Sequence, residues 1–477
     1  SRQMERWKRP RFARNTAPML GSAVWALALA GCQSFERAPI DLSGHRSAFG
    51  ERLKATESIS ELVEQLALEG MPAPERFDLS DGLSPSEGEV LALFFNPDLR
   101  IARLDAGVAL ARYEEGGLWQ DPEFGFDAAE LLSPTGPLEY GLTLGLTLPL
   151  SGRLETEKEK AKAGYKAELL RIVDAEWELR ARVRSAWAAW ATASEHLRLA
   201  DEAVQQIEQV ARITDRLEAA EELTRVEARL IRAELVESRA AATVAEFHEA
   251  QARVNLLRLL GLPPDAPVDL LPAHPPIDIP QTNDPMARII QANTRLAVLR
   301  ADYDVKEESY RHEIRKQYPD VSINGGYGSE DNDDRLLFGI SLPIPLLNAN
   351  RAGIAEARAQ REVARAIAET TFERLAGDFA IARAIHESAT TRFRTLSEEL
   401  IPMLNQQASE VASLAELGEV DTLLLLETIS RRFEAKRQAL DLNQAILDAA
   451  IEMARLLGPG VPHLPAPVEP SLSEDSR

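Results

Sequence analysis

Apolar residues along this chain follow two spacings. From Tyr140 to Leu148, apolar Tyr140, Leu142, Leu144, Leu146 and Leu148 alternate with Gly141, Thr143, Gly145 and Thr147. A period of two predicts a strand with one greasy face and one small or polar face. Leu336, Phe338, Ile340, Leu342 and Ile344 alternate in the same way with Leu337, Gly339, Ser341 and Pro343. Each run has a weaker partner before it, Phe124 and Phe126 around Gly125, then Val321, Ile323 and Tyr327 around Ser322 and Asn324. Four strands are therefore expected, at about 122–131, 139–149, 319–328 and 335–345. Each has the roughly 9–11 residues of a tilted transmembrane strand. The connecting stretches 133–137 and 329–334 are polar and suit the outside of a membrane.

The rest of the pattern is helical. Residues 153–217 run for 65 positions without a proline, rich in Ala, Glu, Arg and Leu, which at ~1.5 Å per residue gives a helix of about 97 Å. Shorter helices are predicted at 87–118 and 224–260, 32 and 37 residues long, and laid end to end they match the long one. A second set falls at 284–317, 351–414 and 421–457. Ala181, Ala186, Ala188, Ala189 and Ala193 would let neighbouring helices approach closely.

The two sets are copies of one unit. Asn96 and Leu99 recur as Asn293 and Leu296, Pro122 as Pro319, and Leu260-Gly261 as Leu457-Gly458, each pair 197 residues apart. The predicted organisation is a first repeat at 85–262, a Pro-rich linker at 263–285, a second repeat at 286–458 and a Pro-rich tail at 459–477. Prolines cannot continue a helix, so the linker is expected to be extended. Four strands cannot close a membrane barrel, which needs about eight or more, and an open edge in lipid leaves backbone groups unpaired. Copies must combine, and three would supply twelve strands.

At the N-terminus, Arg6, Lys8, Arg9, Arg11 and Arg14 precede an apolar stretch from Ala17 to Ala30, the layout of an export signal. Leu29-Ala30-Gly31-Cys32 resembles the lipobox of bacterial lipoproteins, in which the cysteine is acylated and becomes the first residue. On that resemblance Met4 is the start, 1–31 the signal peptide, and 32–84 a lipid-anchored segment. The same resemblance implies sorting to the outer membrane, since Gln33 rather than an aspartate follows the cysteine.

Composition removes other classes. Lys and Arg total 54 against 76 Asp and Glu, a net charge of −22, so nucleic acid is not an expected partner. One cysteine excludes an internal disulfide framework and any CxxC site, and the 7 histidines show no HxxxH or HExxH spacing. No catalytic, metal or cofactor constellation stands out, so neither an enzyme nor a cofactor is expected. Acidic pairs at this charge density are solvated helix faces and i,i+4 partners.

Taken together, the residues resemble the TolC-type outer-membrane factors of Gram-negative bacteria. The resemblance rests on the lipobox, the duplicated helix-strand-strand-helix-helix unit and NPDLR at 96–100. Residues 341–358, SLPIPLLNANRAGIAEAR, and PEFGF at 122–126 resemble signatures of the CzcC-like heavy-metal efflux branch. The resemblance implies a mainly α fold with a membrane β-barrel contribution, a homotrimer forming a 12-stranded β-barrel on a long α-helical barrel. It implies a passive conduit in outer-membrane lipid, working with a periplasmic adaptor protein and an inner-membrane pump of the RND type. Drug or organic-solvent efflux and protein secretion use the same architecture. A lipid-anchored periplasmic coiled-coil scaffold would use the same helices and predicts no membrane-embedded strands.

In this family the helical turns form the periplasmic mouth, which falls here at 217–224 and, 197 residues later, at 414–421. Gly418 fits the family's turn glycine, whereas the first copy carries Glu221 there. Glu218, Glu221, Glu222, Leu417, Gly418, Glu419 and Asp421 are the candidate aperture and adaptor-docking residues. With Glu416, the acidic ones repeated threefold would form a rim that concentrates cations.

Overall fold

The computed structural model describes residues 35–54, 56–68, 73–74, 77–130, 138–330, 333–416 and 422–459. The signal, Cys32, the tip residues 417–421, the first hairpin loop and the tail beyond 459 lie outside them. The chain divides into two units, residues 1–49 and 50–477. Of the first, the described part is an extended stretch leading into helix α1 (Leu42–Gly50), where Asp41 accepts a hydrogen bond from the Gly44 N–H at 2.9 Å.

The second unit opens with α2 (Thr56–Leu68), α3 (Pro85–Phe95) and α4 (Pro97–Glu114). Strands β1 (Glu123–Glu130) and β2 (Leu138–Leu148) lead into α5 (Arg153–Ala219) and α6 (Arg225–Leu259). The order then recurs: α7 (Pro285–Ala292), α8 (Thr294–Arg315), β3 (Val321–Glu330), β4 (Asp333–Ser341) and α9 (Arg351–Arg394). A π-helical segment (Thr395–Leu400) joins α9 to α10 (Ile401–Glu416), and α11 (Thr422–Leu457) closes the unit.

The helices expected at 87–118 and 284–317 are each broken once, at Asn96 and Asn293. Pro97 disfavours helical geometry at the residue before it, but Thr294 imposes no such restriction, so the asparagine is the common cause. Asn96 Oδ1 accepts from the Asp98 and Leu99 amides at 3.0 and 3.2 Å, and its Nδ2 donates to the Leu259 carbonyl at 3.0 Å. Asn293 does the same towards Leu296 and the Leu456 carbonyl, at 3.0 and 2.9 Å. One side chain thus caps a new helix and satisfies the frayed end of the unit's last helix. Gly261 and Gly458 end those helices at φ 72° and 74°, the left-handed closure that glycine allows. A Cβ would stand 2.4 Å from the Phe95 carbonyl oxygen in one copy and 2.1 Å from that of Ala292 in the other.

α5 runs unbroken for 67 residues, but its counterpart, expected as one helix over 351–414, changes pitch before Pro402. Proline lacks the N–H for the i−4 bond and its ring crowds that carbonyl. Opening the turn to an i−5 bond, Ile401 N–H to the Leu396 carbonyl, lets the chain continue without a sharp kink.

The main core lies where α3, α5 and α6 meet. Trp187 is fully buried against Gly88, where a Cβ would stand 2.4 Å from the ring, and its Nε1 donates to the Leu271 carbonyl at 3.1 Å. Glu89 is buried between Arg180 and Arg184, at 3.2 and 2.6 Å, which ties α3 to α5. The Pro-rich linker is extended but packed, not free. Leu83 N–H donates to the Asp269 carbonyl at 2.7 Å, Leu271 N–H donates to the Leu83 carbonyl at 2.9 Å, and Ala266, Val268 and Leu270 are buried. The apolar residues between the prolines supply the reason.

Candidate functional site

The four strands form one antiparallel sheet in the order β1-β2-β3-β4. Phe124 opposes Leu144, and Phe126 opposes Leu142. Leu142 also opposes Tyr327, Leu146 opposes Ile323, and Leu148 opposes Val321. Ile323, Gly325 and Tyr327 then oppose Ile340, Phe338 and Leu336. Residues directly opposite share a face, so the apolar sets of all four strands fall on one side. The other side carries Gly125, Asp127, Gly141, Thr143, Thr147, Ser322, Asn324, Gly326, Arg335 and Gly339, with Leu337 as its one large apolar residue. The apolar side is bare: Phe338 and Ile340 are 81% and 79% exposed. β4 ends at Ser341, short of the expected 345, because Pro343 and Pro345 have no N–H for a ladder. Trp119 and Tyr318 are exposed just before β1 and β3, where an aromatic girdle would meet a membrane interface.

A polar clamp joins this sheet to the helices. Asp320 accepts from the Ser151 amide at 3.1 Å and pairs with Arg153, so the turn into β3 is fastened to the start of α5. Burial acts to raise the Asp320 pKa, but the hydrogen bonds from Ser151 and Arg153 outweigh it and hold the carboxyl below its ordinary value. Nearby, buried His312 lies 3.0 Å from the Thr156 hydroxyl. Burial, then Lys316 and Lys160, lower its pKa.

At the opposite end α5 turns into α6. The Glu222 N–H donates to the Leu217 carbonyl at 2.9 Å, and Glu221 adopts φ 60°. Thr224 and Glu227 form a reciprocal cap that starts α6, with the Thr224 N–H donating to Glu227 at 3.0 Å. Glu221 and Glu222 are exposed. Glu218 is instead engaged by Arg232, at 2.5 Å, and the same guanidinium holds Asp215 at 2.7 Å. These bonds, Asp215 first, raise the Arg232 pKa. Sequence reasoning missed Arg232, whose partners become adjacent only once the helical hairpin closes. Leu417, Gly418, Glu419 and Asp421 lie outside the described residues, as does the side chain of Glu416.

Among the described residues no helix is long and apolar enough to cross a membrane, and no group of three His, Cys, Asp or Glu side chains is placed to hold a metal ion. A β-sheet crosses lipid by other rules. The arrangement offers surfaces and edges for assembly.

Comparison with known proteins agrees with this architecture. The family model described as outer membrane efflux protein matches residues 90–262. Over 199 residues the chain is 23% identical to the cobalt-zinc-cadmium resistance protein CzcC of Cupriavidus metallidurans, a stretch covering 40% of this chain and 45% of that relative. The aligned part is therefore less than half of the relative's length. Among solved structures, CusC, described for its folding and transmembrane channel formation, superposes with a TM-score of 0.68 at 18% identity, covering 82% of this chain and 97% of that one. The outer-membrane channel OprN gives 0.67 at 18% identity, covering 82% and 94%. At such identity the likeness is one of fold.

Proposed function

This chain belongs to the outer membrane efflux protein family, and from that premise we propose that it is the outer-membrane channel of a tripartite efflux system. The observation that carries the proposal is the sheet. It has one continuous apolar face, and its first and last strands are its edges. Backbone groups along such edges have no water to turn to in lipid. Three copies closing edge to edge, β4 of one on β1 of the next, give twelve strands with the apolar face towards lipid and the glycine- and threonine-rich face towards a lumen. The helices continue the wall. Val363, Ile367, Ile381 and Ile385 form an exposed apolar stripe along α9 for the next copy to cover. The channel performs no chemistry; its relatives are channels, not enzymes.

The cargo we propose is heavy-metal cations, delivered by an RND-type pump and a periplasmic adaptor. Support comes from residues 341–358 and from the similarity to CzcC. Cys32 is the proposed lipid anchor. The tip residues Glu221 and Glu222, with Leu417, Gly418, Glu419 and Asp421, are the proposed mouth and adaptor contact; Glu218 contributes less charge because Arg232 neutralises it. Deletion-strain growth across zinc, cobalt, cadmium, nickel, copper and silver, beside antibiotics and dyes, tests the cargo. Metal sensitivity rescued by the cloned gene is expected. Sensitivity to organic compounds alone would move the cargo to drugs.

A further inference from the structure

Beside the membrane end of the helices, a groove of about 640 Å³ lies between α8 and α9, lined by Tyr310, Gln317, Arg351, Ile354, Arg358 and Glu362 among others. Arg351 and Arg358 stand two turns apart, so both project from one side of α9. Among the described residues neither of these two has a carboxylate within 4.0 Å, whereas their neighbours Arg361 and Arg365 do. Glu362 lies in the same groove but is already shared by Arg361 at 2.8 Å and Arg365 at 3.1 Å. The groove therefore holds two guanidinium groups in no close ion pair, with one carboxylate, Glu362, which acts on Arg358 only at longer range and is held by two other arginines.

Its level is fixed by the strands. Gln317 precedes β3 by four residues, and Arg351 follows the exposed Leu346 and Leu347. Exposed Tyr318 is beside it. If the strands cross lipid, this is the height of phospholipid headgroups.

The side it faces follows from the ring on which the proposed function rests. Gln360, Arg361 and Arg365 meet Lys306, Glu307 and Tyr303 of α8, and the stripe Val363, Ile367, Ile381 and Ile385 awaits the next copy. At 3.6 residues per turn these two contacts are separated by about 120° one way round α9 and about 240° the other. Within a closed ring the lumen lies on the narrower arc. Arg351 and Arg358 fall within the wider arc, towards the outside.

We propose that this groove binds the phosphate of an anionic phospholipid headgroup from the leaflet facing the helices, through Arg351 and Arg358. Paired guanidinium forks suit phosphate oxygens, and a site on each copy would fasten the helical wall to the membrane surface.

The test uses the full chain, purified as its assembly in detergent micelles doped with dioleoylphosphatidylglycerol or dioleoylphosphatidylcholine, with retained lipid counted by native mass spectrometry. Phosphatidylglycerol is expected to be retained preferentially. Affinity should fall about fivefold for each arginine removed in Arg351→Gln and Arg358→Gln, whereas Arg374→Gln with Arg392→Gln, farther along α9, should leave it unchanged. Equal retention of the two lipids, or undiminished phosphatidylglycerol in the Arg351→Gln, Arg358→Gln variant, would overturn the proposal. So would complete displacement by millimolar inorganic phosphate, which would make this a free-phosphate site. The assembly mass, read in the same spectra, separates the two claims. A mass other than three copies overturns the ring and not the groove if arginine-dependent retention persists.

Discussion

Phe338 and Gly339 are neighbours on β4 that point to opposite sides of the sheet, so one substitution tried at both positions reads the faces directly. Phe338 is 81% exposed on the apolar side and opposes Gly325. Gly339 opposes Asn324 on the polar side, and a Cβ there meets nothing within 4 Å. Arginine at a lipid-facing position near the bilayer midplane costs about 2–4 kcal/mol, about 30- to 900-fold in the folding equilibrium of each copy. Arginine facing a watery lumen avoids that cost and, with open space around the backbone, adds little strain. Phe338→Arg should therefore collapse assembly into vesicles, measured as the fraction of heat-modifiable oligomer across a urea series. Gly339→Arg should assemble near the parent level. If Gly339→Arg fails as badly as Phe338→Arg, or Phe338→Arg assembles normally, the assignment of lipid and lumen faces is wrong.

Three further outcomes follow from particular contacts. Glu89→Gln leaves Arg180 and Arg184 without their shared carboxylate in the core and should cost about 3–5 kcal/mol, seen as an earlier denaturant midpoint for the loss of helical circular dichroism. Glu221→Gly relieves a left-handed residue at φ 60° and should stabilise the α5–α6 turn by about 0.5–1 kcal/mol, visible as slower amide exchange around 217–224. Asp320 has a folded pKa below its ordinary value. Its contribution is therefore complete above the ordinary aspartate range and is lost as pH falls through the folded value. Asp320→Asn should cost about 1–3 kcal/mol at neutral pH and flatten the acid limb of a stability-pH profile; an unchanged limb would show that the clamp does not titrate.

Period-two spacing carried the strands because the residues on both faces differ so sharply in size and polarity, and the register brings those faces into line, with exceptions at Leu337 on the polar side and at Ser329 and Asp334 at the loop end of the apolar side. The long helix at 153–217 was equally legible from its proline-free run, and its counterpart from the same composition on either side of Pro402. What the pattern hid was set by single side chains with distant partners. Asn96 and Asn293 read as ordinary members of a helix until Leu259 and Leu456, each 163 positions later, supply the carbonyls they bind. Pro402 was present in plain view, but its effect is a change of pitch rather than a stop. The linker's prolines signalled extension, while burial of Ala266, Val268 and Leu270 depended on a strand-like pairing with Leu83. At the tip, Glu218 looked like free charge because Arg232 lies on the next helix. Charge counting along one helix misses such partners.

The proposed channel depends on copies closing their sheet edges into one barrel. Light scattering of the detergent-solubilised full chain, with the detergent mass subtracted, tests that most directly. Three copies per particle, and aggregation when detergent is withdrawn, are expected. A monomer that stays dispersed in detergent-free buffer would contradict it and leave a periplasmic helical scaffold as the better description.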